Sequence, residues 1–154
     1  MKEYKASQEW KREGDMPVLF LAGSIEQGTA EAWQDKVVEA IKNYPVIVLN
    51  PRRSDWDASW DQSINNKEFV RQVTWEVNGL LKADIVAFYF DKNTKSPITL
   101  YELGLLSMKV DTDVFVCCPE GYWRKGNVDI YGNLFGFYVA DNLNKMIKKI
   151  KYIL

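Results

Sequence analysis

Four apolar runs alternate along the sequence with segments of helical periodicity, and this alternation limits the fold more than any other feature. The runs cover residues 16–23, 45–51, 83–90 and 112–119, and each is almost continuously apolar. Strands that are apolar on both faces are typical of a parallel sheet with helices on both sides. The pattern therefore predicts one α/β domain, residues 1–154, with a mainly parallel sheet of about five strands.

The segments between the apolar runs predict the other elements. Apolar residues recur there at helical spacing, and the expected helices cover residues 31–42, 67–83, 97–109 and 141–153. A short additional strand is expected within 135–140. The polar segments are expected to be loops or extensions, namely 1–15, 52–66 and 120–133.

Composition excludes several classes of protein. The net charge is −1, which argues against nucleic acid or a membrane surface as a partner. No apolar run reaches the roughly 18 residues of a membrane span. The polar segment 1–15 lacks the apolar centre of a signal peptide, so we expect a cytoplasmic protein.

The chain contains no histidine, and this restricts the chemistry available to it. The usual proton shuttle near neutral pH and every Ser-His or Cys-His nucleophile pair are excluded. Any acid–base catalysis must therefore use Asp, Glu, Lys, Tyr or Cys side chains. Cys117 and Cys118 are adjacent on a predicted strand and point to opposite faces, so we expect two reduced thiols and no metal site.

The loops after the predicted strands are the candidate binding segments, because parallel sheets bind ligands at the carboxyl ends of their strands. In 22–30, Gly23, Ser24 and Gly28 precede a helix, which suits either a ligand at free amides or a plain tight turn. In 50–66, tryptophans lie beside mixed charges. That pattern fits either stacking on a flat ring or a lid that packs on itself.

Glu102 is a lone carboxylate in the apolar segment SPITLYELGLLSMK, residues 96–109. Near the start of a helix, the helix dipole would favour its charged form. Such a carboxylate can attack the anomeric carbon of a sugar, whereas the alternative is an ordinary capping or solvent-facing glutamate. Glu76, in VTWEVNG, is open to the same two interpretations.

Five segments taken together resemble the nucleoside 2-deoxyribosyltransferase family, and its phage and bacterial branch most. They are FLAGSI, NPRR followed by DWD, WEVNGLLKADIVAFYF, SPITLYELG and GYWRKGNVDI, in the expected order within residues 17–140. The resemblance implies a flavodoxin-like (Rossmann-like) sandwich. It also implies an enzyme that cleaves the N-glycosidic bond of a 2′-deoxynucleoside and transfers the deoxyribosyl group from a glutamate to another nucleobase.

The resemblance also implies roles for individual residues. Glu102 matches the family nucleophile, and Glu76 matches a second acidic position where the family often has Asp. A family Asp that contacts the base is replaced here by Ser96, and Asp91 is a candidate for the missing carboxylate. The expected substrate-binding residues are Gly23, Ser24, Asn50, Arg52, Trp56, Ser96, Tyr101, Asn127 and Asp129, with Trp60 as a further candidate for packing on the ligand.

Two other functions remain open at this point. Ser24, Gly28 and Ser96 also fit the phosphate-binding hydroxyl and amide groups of the related deoxynucleoside 5′-monophosphate N-glycosidases, which transfer the sugar to water. A nucleotide-binding sensor without turnover is the third possibility. For the transferase we expect deoxynucleosides and nucleobases as partners, no cofactor, and a homo-oligomer (a dimer or higher) whose subunits share active sites.

Overall fold

The structure, a computed structural model, describes residues 1–25, 32–53, 57 and 59–154. Within this part of the chain, six parallel strands form one sheet. They are β1 Lys2–Lys5, β2 Val18–Gly23, β3 Ile47–Asn50, β4 Ile85–Tyr89, β5 Asp113–Cys117 and β6 Tyr138–Ala140. Five helices connect or follow them: α1 Trp33–Ile41, α2 Lys67–Lys82, α3 Pro97–Leu106, α4 Lys125–Phe135 and α5 Leu143–Ile153.

The strand order confirms the predicted flavodoxin-like fold. The six strands lie in the order β1-β3-β2-β4-β5-β6. Without β1, this is the 2-1-3-4-5 order of flavodoxin-like doubly wound sheets. In such sheets the chain reverses direction between the first and third strands, which are β2 and β4 here. A crevice for ligands is therefore expected at the carboxyl ends of β2 and β4.

Two apolar layers cover the sheet, one on each face. Side chains of α2, α3 and α4, including Trp75, Leu103 and Val128, pack on one face. Side chains of α1 and α5, including Trp33 and Met146, pack on the other. Because α2 and α3 share a face, Glu76 and Glu102 lie on the same side of the sheet.

Strand β1 lies within the segment that was expected to be only a polar extension. Its residues KEYK carry no apolar run, because an edge strand has one neighbour and is partly exposed. The side chain of Tyr4 nevertheless packs against the core. A prediction built on apolar runs therefore misses this strand.

Helix α4 lies where a loop was expected, and the prediction of a loop at 120–133 was wrong. Glycines and asparagine weaken its helical signal, yet Val128 and Gly132 face the sheet and are buried. A Cβ at Gly132 would lie 2.5 Å from Cγ2 of Val139. The glycine is thus explained by the close approach of α4 to β6, which local propensity does not reveal.

The segment between β1 and β2 crosses α2 and holds it in place. The indole of Trp75 donates a hydrogen bond to the Gln8 carbonyl (2.8 Å), and Arg71 donates to the Ser7 carbonyl (2.9 Å). Arg12 forms a bidentate pair with Asp84 at 2.8 and 2.9 Å, which lowers the pKa of that carboxyl.

Among the helices described, none has the length and apolar character needed to cross a bilayer.

Candidate functional site

The carboxyl ends of β2 and β4 approach each other closely at Gly23. Its φ of +151° is rarely adopted by residues with a side chain. A Cβ there would lie 2.5 Å from the carbonyl oxygen and 2.8 Å from the nitrogen of Tyr89. Gly23 therefore has a structural reason to be glycine, and it brings the next residue, Ser24, to the point where the chain reverses.

Three hydroxyl groups form a cluster at this point. The Oγ1 of Thr94 lies 3.0 Å from the Oγ of Ser24 and 2.7 Å from the Oγ of Ser96, and the two serine hydroxyls also hydrogen-bond each other. Ser24 also accepts a hydrogen bond from the backbone N–H of Asp91 (3.0 Å). Both serines are buried. The cluster ties the loop after β4 to the end of β2 and so positions the start of α3.

The same loop is held from the other side by two aromatic residues. The hydroxyl of Tyr122 and the indole N–H of Trp123 both donate to the carbonyl of Lys95, at 2.8 and 3.0 Å. Sequence reasoning assigned no role to Thr94, Tyr122 or Trp123. The start of α3, and with it the position of Glu102, is therefore fixed from two directions.

Glu76 and Glu102 are partly buried on neighbouring helices. Burial raises the pKa of Glu76 to about 7, although a hydrogen bond from Gln72 opposes the shift. Burial also raises the pKa of Glu102 to about 8, and the charge of Glu76 adds to this effect. Two carboxyls that interact in this way titrate as a pair, and between these values the pair holds about one proton.

The shift at Glu102 is opposite to the one expected from the helix dipole. Glu102 is the sixth residue of α3, beyond the first turn in which the dipole acts strongly. Desolvation favours the neutral form of a carboxyl, and here it is the largest cause of the shift. Burial therefore favours the protonated form of Glu102.

Asn50 and Arg52 follow β3, where the sequence predicted them. Asn50 is fully buried, and its amide is used within the protein: Nδ2 donates to Glu3 (2.7 Å) and Oδ1 accepts from the N–H of Arg52 (3.0 Å). Nearby, the guanidinium of Arg53 lies 5.6 Å from the ring centre of Trp60. Trp56 and Gly28, two further candidates, lie outside the described residues.

The remaining candidates lie apart from the carboxyl pair or are differently engaged. Asp91 is partly buried, and its carboxylate accepts from the N–H of Asn93 (2.9 Å). Tyr101 is exposed. Asp129 forms an ion pair with Lys125, both distances being 2.9 Å. Asn127 lines a groove of about 250 Å³ between α3 and α4.

The described residues thus form two groups. Ser24, Asp91 and Ser96 meet at the reversal point of the sheet, whereas Glu76 on α2 and Glu102 on α3 interact electrostatically. Within the described ranges, no group of three or more His, Cys, Asp or Glu side chains is arranged to hold a metal ion.

Gln72 belongs with Glu76 and Glu102, and sequence reasoning missed it. Its position four residues before Glu76, one helical turn away, was the available signal.

The sequence and the fold of this chain resemble those of known proteins. Residues 17–122, more than half of the chain, match the family described as "Nucleoside 2-deoxyribosyltransferase like". A crystal structure of a conserved protein from Enterococcus faecalis V583 has the same fold, with a TM-score of 0.64 and 14% sequence identity. The alignment covers 90% of this chain and 99% of that one. No curated protein matches the chain in sequence.

Proposed function

Because the chain belongs to the nucleoside 2-deoxyribosyltransferase-like family, we propose that it transfers a 2-deoxyribosyl group between nucleobases, with Glu102 as the nucleophile. The observation that supports this proposal best is the pair of Glu102 and Glu76, which holds about one proton near neutral pH. Double displacement at a sugar carbon needs one ionised carboxylate and one proton donor. The pair contains both.

The reaction proceeds in two balanced steps. In the first, a carboxylate oxygen of Glu102 forms a bond to C1′ as the bond from C1′ to the base nitrogen breaks, and the leaving base takes up a proton. In the second, a nitrogen of the incoming base attacks C1′, loses its proton to the site, and releases Glu102 as a carboxylate. Two inversions preserve the β configuration.

The proton of the pair must lie on Glu76 when the first step begins. The proton is shared between two carboxyls whose pKa values are both raised by burial. Asp91, at the end of β4, is the second candidate for the proton donor.

A deoxynucleoside is the favoured substrate over a 5′-monophosphate. The hydroxyls that would hold a phosphate, those of Ser24 and Ser96, are buried and bonded to each other and to Thr94. A phosphate would have to displace these bonds. The hydrolase and the sensor without turnover are therefore the alternatives that the assay below distinguishes from the transferase.

We also propose that the protein is a cytoplasmic enzyme of nucleoside salvage and a homo-oligomer with shared active sites. One side of α3 and of the turn that follows it supports the assembly, because it exposes a row of apolar side chains at helical spacing. They are Ile98, Tyr101, Leu105 and Met108. A second copy would remove this row from water. By analogy with the family, we propose that Asn127 and Asp129 of one subunit then contribute to the site of another.

A chromatographic assay tests the proposed activity. Thymidine or deoxyinosine is incubated with and without free adenine or cytosine, and the 5′-monophosphates are tested in parallel. A new deoxynucleoside that forms only with a second base, and is absent with Glu102→Gln, is the expected result. Free base and sugar phosphate from a monophosphate would identify the hydrolase, and binding without turnover across a broad panel would identify the sensor.

A further inference from the structure

We propose that Gln72 is a positioning residue that stabilises the charge of Glu76 through an amide whose orientation Pro51 fixes. This inference rests on the proposed function only for the catalytic meaning of Glu76. Gln72 touches the carboxyl that we assign to proton transfer, and it also touches the backbone of the loop after β3. It would set the distribution of the proton within the carboxyl pair without touching the substrate.

The contacts determine which end of the amide faces Glu76. The Nε2 of Gln72 lies 2.6 Å from Oε1 of Glu76 and 3.2 Å from the carbonyl oxygen of Pro51. A peptide carbonyl can only accept a hydrogen bond. Rotating the amide by half a turn would place Oε1 against this carbonyl, whatever the protonation state of Glu76. Gln72 therefore always presents an N–H to Glu76, and this donor favours the ionised form.

The other end of the amide has a polar atom that contributes nothing to folding. The Oε1 of Gln72 is buried and has no hydrogen-bond partner among the described residues. A buried acceptor without a partner is destabilising, and an apolar side chain of similar length would avoid the penalty. The hydrogen bonds of this amide are thus made at Nε2, which donates to Glu76 and to the Pro51 carbonyl.

The charged surroundings of Glu76 leave this role to Gln72. Glu102, on α3, interacts electrostatically with the carboxyl of Glu76, and two like charges oppose each other's ionisation. Within the described part of the chain, no Lys or Arg forms an ion pair with Glu76. On α2 itself, Gln72 is the group that lowers the pKa of Glu76 against the effect of burial.

Removal of the donor has a defined consequence. Without the N–H of Gln72, Glu76 keeps its proton to higher pH, so both carboxyls of the pair are protonated over a wider range. Glu102 can ionise only when the pair has lost a proton. The acid limb of the activity profile therefore moves to higher pH by about one unit, the size expected for a hydrogen bond to a charged group.

The experiment compares the wild type with Gln72→Met and Gln72→Lys. Methionine keeps the length and removes the donor, whereas lysine provides a charged donor. Thr74→Val, at an exposed position of α2, serves as the matched control. Carboxyl pKa values are measured by NMR on protein labelled with ¹³C at glutamate side chains, and kcat/KM is measured against pH.

We expect the pKa of Glu76 and the acid limb to rise in Gln72→Met, to fall in Gln72→Lys, and to remain unchanged in Thr74→Val. Gln72→Met also removes the donor to the Pro51 carbonyl, so the titrations are made at a temperature where all the proteins are folded. Superimposed titration curves of the wild type and Gln72→Met would overturn the inference, and if Gln72→Met does not fold, superimposed curves of the wild type and Gln72→Lys would overturn it. The NMR titration needs no substrate, so a wild type without base exchange would refute the proposed function and still leave this inference decided.

Discussion

The charge of Glu76 on α2 raises the pKa of Glu102 on α3. Each carboxyl is supplied by a different helix, and both helices pack on the same face of the sheet. The two groups therefore form one acid–base unit whose state depends on how the helices are packed. The first two predictions follow from this unit.

The pH dependence of kcat/KM should be bell-shaped, with an acid limb near pH 7 and an alkaline limb near pH 8. Below the first value both carboxyls are protonated and no nucleophile exists. Above the second both are ionised and no proton donor remains. Rates measured from pH 5 to 10 test this, and a constant rate from pH 6 to 9 would contradict it.

Glu102→Gln should be more stable than the wild type at alkaline pH, while base exchange is lost. The pKa of Glu102 is raised from 4.5 to about 8. Between these values the folded state binds more protons than the unfolded chain, so the free energy of unfolding falls as pH rises. Glutamine removes this dependence.

Thermal unfolding of both proteins at pH 5 and pH 9 measures the effect. We expect nearly equal stability at pH 5 and a difference above about 1 kcal/mol in favour of the variant at pH 9. Glu102→Asp, which keeps a titratable group, is the matched control and should retain the slope. Equal differences at both pH values would show that Glu102 does not titrate as described.

Gln34→Met should raise the free energy of unfolding by about 1 kcal/mol. Gln34 is fully buried on α1, and neither polar atom of its amide has a hydrogen-bond partner among the described residues. Methionine has a similar length and helix propensity without the polar atoms. Urea unfolding provides the measurement. A less stable variant would mean that the amide has a partner.

Ser24→Ala should destabilise the protein by about 1–3 kcal/mol. The change removes the acceptor of the Asp91 N–H and breaks the hydroxyl cluster with Thr94 and Ser96. Ser107→Ala, which removes a partly exposed hydroxyl at the other end of α3, is the control and should have a smaller effect. A stability equal to that of the wild type would mean that the cluster contributes little.

Met108→Lys should shift the protein toward smaller assemblies. Met108 is 82% exposed and continues the apolar row of α3, where a buried charge would oppose association. Val110→Lys, at a 92% exposed position outside this row, is the control. Light scattering after size-exclusion chromatography gives the mass. A monomeric wild type would remove the proposal of shared active sites.

The sequence was informative where one local property determines an element. The apolar runs that became β2 and β4 are buried on both faces, so their composition alone marks them. Strand β1 and helix α4 were missed because their stability comes from neighbours: β1 from pairing with β3, and α4 from the close approach allowed by Gly132.

In the candidate site, too, the sequence indicated what depends on local residues and missed what depends on tertiary neighbours. Glu102 was identified from its motif, but the direction of its pKa shift depends on burial and on Glu76, and both are tertiary properties. Ser96 stays a predicted ligand contact, and the sequence did not indicate that its hydroxyl would bond to Ser24 and Thr94. The partner of a short polar side chain is decided by which loops meet, and local sequence carries no signal for that.

Strand β1 has a consequence for any shortened form of the protein. Its lysines and glutamate place charges along the outer edge of the sheet, a common protection against pairing with other molecules. Deletion of residues 1–5 would make β3 the new edge, and its sequence IVLN is wholly buried in the intact protein. A bare apolar edge of this kind recruits strands from other chains. The truncated protein should therefore aggregate, even though every residue of the proposed site remains.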